Sequence, residues 1–222
     1  MDQDIRLVFP EVRKCIARIS FCREGETKEL RHMVIPGIVV AVDTDGSATI
    51  VANPVFFKMC PEFKLSFPND TAAGYEKERK LFSTMVDYRD KFCTFKLKPE
   101  VNGFVQPAKI ETKPLKAADY ADAFIFPRKD FITPAAYCKG GVVNGTEAKT
   151  EVMLESASHE YAYLGSPIFN RNGALVGISY ADIGCLIAWT TQELRDDVLK
   201  HLSGISYVSD GIPVEQAPVQ QN

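Results

Sequence analysis

The chain has 222 residues, of which 45% are hydrophobic and 25% are charged. This usage is typical of a globular protein, and the length fits one large β domain or two packed halves better than a multidomain array. Twenty-six Lys and Arg against 29 Asp and Glu give a formal charge of −3. So balanced a charge argues against a nucleic-acid-binding protein held by phosphate contacts.

No window approaches 18 consecutive apolar residues, and the acidic start Met1-Asp2-Gln3-Asp4 differs from a secretory signal, which is basic and then apolar. We therefore expect an intracellular protein, cytoplasmic or nuclear, with no membrane partner. The six cysteines contain no CxxC pair. Outside the secretory route they are predicted to be buried thiols rather than disulfides or zinc ligands, and neither a metal site nor a cofactor is expected.

Short segments rich in Val, Ile, Phe and Tyr, bounded by Gly, Pro, Asn or Asp, predict an all-β fold of sandwich or barrel type. In chain order the predicted strands are Lys14–Cys22, Met33–Asp43, Ser47–Ala52, Phe63–Phe67, Leu81–Tyr88, Phe92–Leu97, Ala108–Thr112, Ala121–Phe126, Gly140–Asn144, Lys149–Glu155, Pro167–Asn170, Ala174–Tyr180 and Cys185–Trp189. The turns Asp43–Gly46 and Asn170–Gly173 end in Asp-Gly and Asn-Gly between apolar runs, which predicts two hairpins.

One helix is predicted near the end of the sequence. Thr190 and Glu193 have capping-box spacing, and Trp189 stands at a staple position before the helix. Its apolar stripe consists of Leu194, Val198, Leu199 and Leu202, and Gly204 ends it.

The composition changes after about Val208, where the chain becomes rich in Gly, Pro and Gln. Such a segment has little apolar surface to bury. Residues 1–208 are therefore predicted to form one domain and residues 209–222 a disordered C-terminal tail.

The run from Gly165 to Ile178, GSPIFNRNGALVGI, resembles the trypsin-like serine proteases, and especially their HtrA/Deg branch. In that family the nucleophile motif GNSGGP precedes an apolar strand, an Asp-Gly or Asn-Gly turn, and Val-(Val/Ile)-Gly-Ile. Collinear matches elsewhere are Pro36–Pro54, Lys91–Leu97, Asp122–Pro127 and Leu186–Leu202. The resemblance implies two perpendicular six-stranded antiparallel β-barrels of trypsin-like type, a cleft between them and a C-terminal α-helix.

The family's chemistry needs a hydroxyl nucleophile, an imidazole base and a carboxylate that orients the imidazole. Carried over residue by residue, the resemblance places Asn53 at the histidine position, Lys91 at the aspartate position and Leu164 at the serine position. An amide, an ammonium and an alkyl group cannot do these jobs. A slip of one residue would place Asp90 at the aspartate position. The resemblance therefore implies a pseudoprotease, not an enzyme, that acts as a protein-interaction or regulatory module.

An active serine-type peptidase with a rebuilt dyad is the alternative. Ser166 lies two residues after Leu164, and a local bend would bring it to His159, seven residues before it. His32 and His201 are interpreted as structural residues, as are Cys60 and Cys185. A third hypothesis is an inhibitor or regulatory subunit that still binds peptides in the cleft between the two barrels.

The resemblance also indicates where a partner would bind. In HtrA-like proteases the substrate peptide adds as a strand along the segment after Val-Gly-Ile, here Ile178–Ala181, and strand addition needs no triad. The candidate binding residues for a protein or extended peptide are Tyr161, Tyr163, Ser179 and Tyr180, although the tyrosines would otherwise fill the space left by an altered oxyanion turn. HtrA relatives trimerise through aromatic N-terminal residues, and Phe9 is the one match here, so a homo-oligomer is allowed.

Overall fold

The structure of the chain, a computed structural model, describes residues 10–21, 33–69, 75–100, 104–127, 136–155, 161–182, 185–202, 204–209 and 212–213. Within these residues it is built almost entirely of strands, and its one α-helix longer than a single turn is α1 (Thr191–Asp197). No helix in the described ranges is long and apolar enough to cross a membrane.

The first half of the chain forms an antiparallel sheet of seven strands. They are β1 (Ile16–Phe21), β2 (Met33–Val42), β3 (Ala48–Ala52), β4 (Glu62–Ser66), β5 (Arg79–Phe82), β6 (Asp87–Tyr88) and β7 (Cys93–Leu97), hydrogen-bonded in the order β5-β4-β1-β2-β3-β7-β6. The predicted hairpin at residues 43–46 is confirmed, because Val42 pairs with Ala48 around it. Gly46 supplies the φ of 83° that this turn needs.

The second half forms a sheet of eleven short strands. They are β8 (Lys109–Glu111), β9 (Asp122–Pro127), β10 (Ala136–Cys138), β11 (Gly140–Gly145), β12 (Lys149–Leu154), β13 (Tyr161–Ala162), β14 (Pro167–Phe169), β15 (Leu175–Asp182), β16 (Leu186–Thr190), β17 (Ser206–Ser209) and β18 (Ile212–Pro213). Its main path is β10-β9-β14-β15-β16-β12-β11. The predicted hairpin at residues 170–173 is confirmed between β14 and β15. Among the described strands, the parallel pairs are those of β8 with β15 and with β17.

Both sheets curl into half-barrels around apolar interiors. The larger core cluster is shared, since Phe124, Phe169 and Ile178 of the second sheet belong to the same buried cluster as the first sheet's core. The first half-barrel also encloses a phenylalanine cluster formed by Phe21, Phe57, Phe63 and Phe95, with ring centroids 4.9–6.0 Å apart. The shared core fixes the two halves against each other and so defines the surface where they meet.

One predicted strand is observed as two. The stretch Leu81–Tyr88 is interrupted by a 3-10 turn at Ser83–Met85, so it contributes β5 and β6 separately. The prediction of one strand was wrong because Phe82, Met85 and Tyr88 are apolar but exposed. The sequence patterns also missed β10, β13, β17 and β18.

The C-terminal helix is shorter than predicted and lacks its predicted cap. The Thr190 hydroxyl donates to the carbonyl oxygen of Glu147, outside the helix, so no capping box forms. The helix ends at Asp197 and a 3-10 turn, Leu199–His201, follows it. Leu194, Val198 and Leu199 are buried as predicted.

Part of the predicted tail is ordered. In β17 and β18, Val208 pairs with Pro213 and Ser209 pairs with Ile212. One edge of β17 is hydrogen-bonded to β8, and β18 pairs with the opposite edge. Within the predicted tail, residues 209–222, the residues Ser209, Ile212 and Pro213 are thus paired in strands, whereas residues 210–211 and 214–222 lie outside the described part of the chain. Phe9, on which the homo-oligomer expectation depended, also lies outside it.

Candidate functional site

Asn53 follows the end of β3 and lies against the turn formed by residues 163–166. The Asn53 side chain is buried, and a Cβ atom built on Gly165 would lie 3.4 Å from the Cβ of Asn53. Asn53 Nδ2 donates to the carbonyl oxygen of Ser179 at 3.4 Å, and Asn53 Oδ1 accepts the N–H of Val55 at 3.0 Å. The two halves of the fold therefore meet at Asn53, and its amide joins them.

Ser179 forms hydrogen bonds with three residues of the 163–166 turn and fixes its conformation. The N–H of Ser166 donates to Ser179 Oγ at 2.9 Å and to the carbonyl oxygen of Tyr163 at 3.2 Å. The N–H of Gly165 donates to the carbonyl oxygen of Ser179 at 3.0 Å, and the Ser179 hydroxyl donates to the carbonyl oxygen of Tyr163. Both N–H groups thus have acceptors within the fold, which holds the turn in this conformation.

Ser166 itself is fully buried in this turn. Gly165 holds φ at 81°, a left-handed conformation that favours glycine. The strand that follows the turn begins at Pro167 and pairs with Ile178. A substrate therefore has no open path to the Ser166 hydroxyl in this conformation.

Lys91 forms an ion pair with a residue of the C-terminal helix. Its Nζ lies 2.7 Å from Glu193 Oε2 and 3.2 Å from Asp90 Oδ2, and it stands 5.4 Å from the centre of the Trp189 ring. The hydrogen bond to Glu193, and then that to Asp90, raise the pKa of Lys91. The ammonium form is therefore stabilised, and it cannot accept a proton or an imidazole N–H.

Asp197, the last residue of α1, fixes the backbone at the two candidate aspartate positions. Its carboxylate accepts the N–H groups of Asp90, Lys91 and Phe92 at 3.3, 3.1 and 3.2 Å. Ala52 pairs with Cys93, so residues 53 and 91 lie at the same end of the β3–β7 pair. The structure thus places residue 53 beside residues 163–166 and residue 91 beside α1.

Other nucleophiles and bases in the described residues do not complete a catalytic pair. Burial raises the pKa of the Cys15 and Cys93 thiols to about 12, so these thiols stay protonated. Cys60 is buried as well. The only histidine in the described ranges is His201, on the 3-10 turn after α1, and His32 and His159 lie outside them. No group of His, Cys, Asp and Glu in these ranges has the arrangement of a metal site.

The four candidate binding residues fall in different environments. Tyr163 is 5% exposed and Ser179 is fully buried, so neither side chain offers surface to a partner. Tyr163 instead packs into the core of the second half-barrel. Tyr161 belongs to β13, which pairs with β9, and its side chain is outside the described part. Tyr180 is half-buried and stacks on Trp189, with the ring centroids 4.2 Å apart.

The C-terminal part of β15 carries an unpaired edge. β14 pairs with β15 only as far as Ile178, whereas β16 continues to pair with it as far as Asp182. Among the described residues, no strand pairs with residues 180–182 on the side away from β16. This stretch, the β15 edge, begins at Tyr180 and includes Tyr180 and Ala181 of the predicted strand-addition site. Ile178 and Ser179, the first two residues of that predicted site, already pair with residues 165–167.

Sequence reasoning missed the contacts that Trp189, Glu193 and Asp197 make. Trp189 was interpreted as a staple, but it stacks on Tyr180, and Lys149 Nζ stands 5.4 Å from its ring centre. Glu193 was assigned to a capping box, and Asp197 had no assigned role. Their partners lie about a hundred positions away, so local spacing carried no signal for them.

Comparison with known proteins supports the fold but not a family. No family model matches the sequence, and no curated protein sequence matches it significantly. The solved structure of Deg5 superposes with a TM-score of 0.63 at 15% identity over 92% of this chain and 97% of Deg5. Rv3671c from M. tuberculosis H37Rv, solved as a serine-to-alanine mutant in an inactive form, gives 0.58 at 12% identity over 87% and 89%. Both are trypsin-like folds of HtrA/Deg type, so the predicted all-β trypsin-like architecture is confirmed.

Proposed function

From this trypsin-like fold, we propose that the chain is a protein-interaction module without peptidase activity. Its partner is a protein or extended peptide that adds as a strand to the β15 edge. The observation that carries the proposal is the full burial of Ser166, because Leu164 at the serine position offers no nucleophile in its place.

The chemistry at the candidate catalytic positions supports the absence of peptidase activity. The side-chain amide of Asn53 hydrogen-bonds to the backbone of Ser179 and Val55. The Lys91 ammonium is ion-paired with the carboxylates of Asp90 and Glu193. Leu164 has no heteroatom in its side chain. The rebuilt dyad would have to use Ser166, which is fully buried, so the geometry does not favour it.

The backbone of the β15 edge supports peptide binding. Strand addition obtains its affinity from main-chain hydrogen bonds and its specificity from neighbouring side chains. Residues 180–182 offer an edge without a described partner, and the stacked Tyr180 and Trp189 rings lie beside it. Aromatic residues are enriched among the strongest contacts of protein interfaces.

We expect the purified protein not to cleave casein or an unfolded substrate above the background of a Ser166→Ala variant. A fluorophosphonate probe should likewise leave Ser166 unlabelled, because the hydroxyl is buried. The measurement is fluorescence release from labelled casein, with trypsin as the positive control. Cleavage that disappears in Ser166→Ala would overturn the proposal and favour the rebuilt dyad.

We expect Tyr180→Ala to weaken peptide binding by about tenfold or more. The reason is that truncating an aromatic residue at the centre of a protein interface often costs about 2 kcal/mol or more of binding free energy. Extended peptides selected on the wild-type protein from a displayed library would serve as ligands, with affinities measured by fluorescence polarisation. Tyr88→Ala is the matched control, since Tyr88 is an exposed tyrosine on β6 of the first half-barrel.

Circular dichroism would first establish that both variants fold. Peptides methylated at alternate backbone nitrogens should also bind less well, because strand addition needs their N–H groups. Equal affinities for wild type and Tyr180→Ala, together with tolerance of methylation, would exclude the β15 edge as the interface.

A further inference from the structure

A groove lies on the second half-barrel, near the start of β15. One wall is the loop of residues 112–120 between β8 and β9, and the other is the 170–173 turn. Glu111 lies between the two walls. The groove has a volume of about 810 Å³, which is within the range of protein ligand sites, roughly 300–1,000 Å³.

The floor of the groove is fixed by Glu111, whose side chain is buried. Its Oε1 accepts the N–H groups of Thr112 and Lys113 at 2.9 and 3.1 Å, and its Oε2 accepts Asn170 Nδ2 at 3.0 Å. Asn170 Oδ1 in turn accepts the N–H groups of Asn172 and Ala174 at 3.0 Å each. The Glu111 carboxylate thus links the loop wall to the 170–173 turn, and three hydrogen-bond donors stabilise its negative charge.

The loop wall is also held in place. The N–H of Lys116 donates to Asp119 Oδ2 at 2.6 Å, and the N–H of Ala118 donates to the carbonyl oxygen of Val142 at 2.9 Å. Ala118 adopts φ 72°, a left-handed conformation that is strained for a residue other than glycine. The loop keeps this conformation through its hydrogen bonds, so the groove is formed before any ligand arrives.

Cationic side chains dominate the exposed chemistry of the groove. Lys113, Lys116 and Arg171 are exposed along its rim, against a single exposed carboxylate, Asp119, one oxygen of which already accepts a hydrogen bond. The Arg171 guanidinium lies 4.2 Å from the centre of the Tyr120 ring. A guanidinium stacked on a ring keeps its N–H groups at its edge, where they match the two oxygens of a carboxylate.

We propose that this groove binds a carboxylate-rich peptide segment of a partner protein. Arg171 pairs with one acidic side chain of the segment, Tyr120 holds the guanidinium flat, and Lys116 attracts a second carboxylate. The groove is open to solvent between two walls held by hydrogen bonds, which leaves room for a peptide segment. The balance of charge on its rim favours an acidic ligand.

The groove is a site separate from the β15 edge. The 170–173 turn precedes β15, whereas the β15 edge begins at Tyr180. Leu175 and Tyr180 are five residues apart on one strand, which corresponds to about 17 Å. The two proposals can therefore be tested, and can fail, independently of each other.

The test uses the full chain and a short fluorescein-labelled polyglutamate peptide. We expect saturable binding by fluorescence polarisation that weakens as ionic strength rises. Arg171→Gln should weaken binding by about tenfold or more, because it removes a charge-assisted hydrogen bond. Lys116→Gln should weaken it less. Polyglutamine of the same length should not bind.

Two variants serve as controls. Arg89→Gln removes an exposed arginine from the first half-barrel, and Tyr180→Ala alters the β15 edge; both should bind polyglutamate as tightly as wild type. Absence of saturable binding, or equal loss in Arg89→Gln and Arg171→Gln, would overturn the proposal. Binding of ATP but not of polyglutamate, lost in Arg171→Gln, would overturn the peptide assignment in favour of a phosphate ligand.

Discussion

Replacing Phe57 by alanine is expected to lower the free energy of unfolding by about 3–5 kcal/mol. Phe57 is 1% exposed and lies in the turn that follows Asn53. Its ring meets those of Phe21 and Phe63 edge to face, with both centroid distances 4.9 Å. Alanine would leave a cavity and remove both aromatic contacts, whose geometry is a favourable one.

Urea titration followed by circular dichroism would measure this loss as a fall in the unfolding midpoint. Phe82→Ala is the matched control, because Phe82 is 47% exposed in the same half-barrel and exposed positions usually change stability by no more than about 0.5 kcal/mol. Similar midpoints for the two variants would show that the phenylalanine cluster is not packed as described.

The second large effect is expected in Ile178→Ala and Leu199→Ala, each of which should cost about 2–5 kcal/mol. Ile178 lies on β15 between Pro167 and Trp189 of the neighbouring strands, and Leu199 begins the 3-10 turn after α1. Both side chains are 1% exposed, in the core that the two half-barrels share. Either loss would therefore loosen the contact between the halves.

Differential scanning calorimetry would detect these losses as lower unfolding temperatures. Met153→Ala and His201→Ala are suitable controls, since Met153 is half exposed on β12 and His201 is exposed two residues after Leu199. A loss of less than about 0.5 kcal/mol in either core variant would mean that the element carrying it is wrongly placed.

Much of the fold could be predicted because long buried strands leave a strong local signal. β2, with ten residues, and β15, with eight, are nearly continuous runs of apolar residues. The short strands β13 and β18, with two residues each, have no periodicity to detect. They exist because a neighbouring strand offers them an edge, which is a property of the folded structure.

The candidate site was less predictable, for the same physical reason. The positions of Asn53, Lys91 and Leu164 followed from the resemblance, but their partners depend on tertiary packing. Glu193 has capping-box spacing from Thr190, yet it binds Lys91 of the other half-barrel. A carboxylate can serve a helix end or a distant ammonium, and spacing alone cannot distinguish the two.

The hydrogen bonds of Asp197 also constrain the order in which the chain folds. Its carboxylate meets backbone groups that precede it by 105 to 107 positions. During synthesis, the segment before β7 remains without these acceptors until α1 has left the ribosome. Contacts of such long sequence separation slow folding, and the core that the two half-barrels share cannot close until the second half has been synthesised. The backbone at residues 90–92 is therefore expected to reach its final conformation only after α1 has been synthesised.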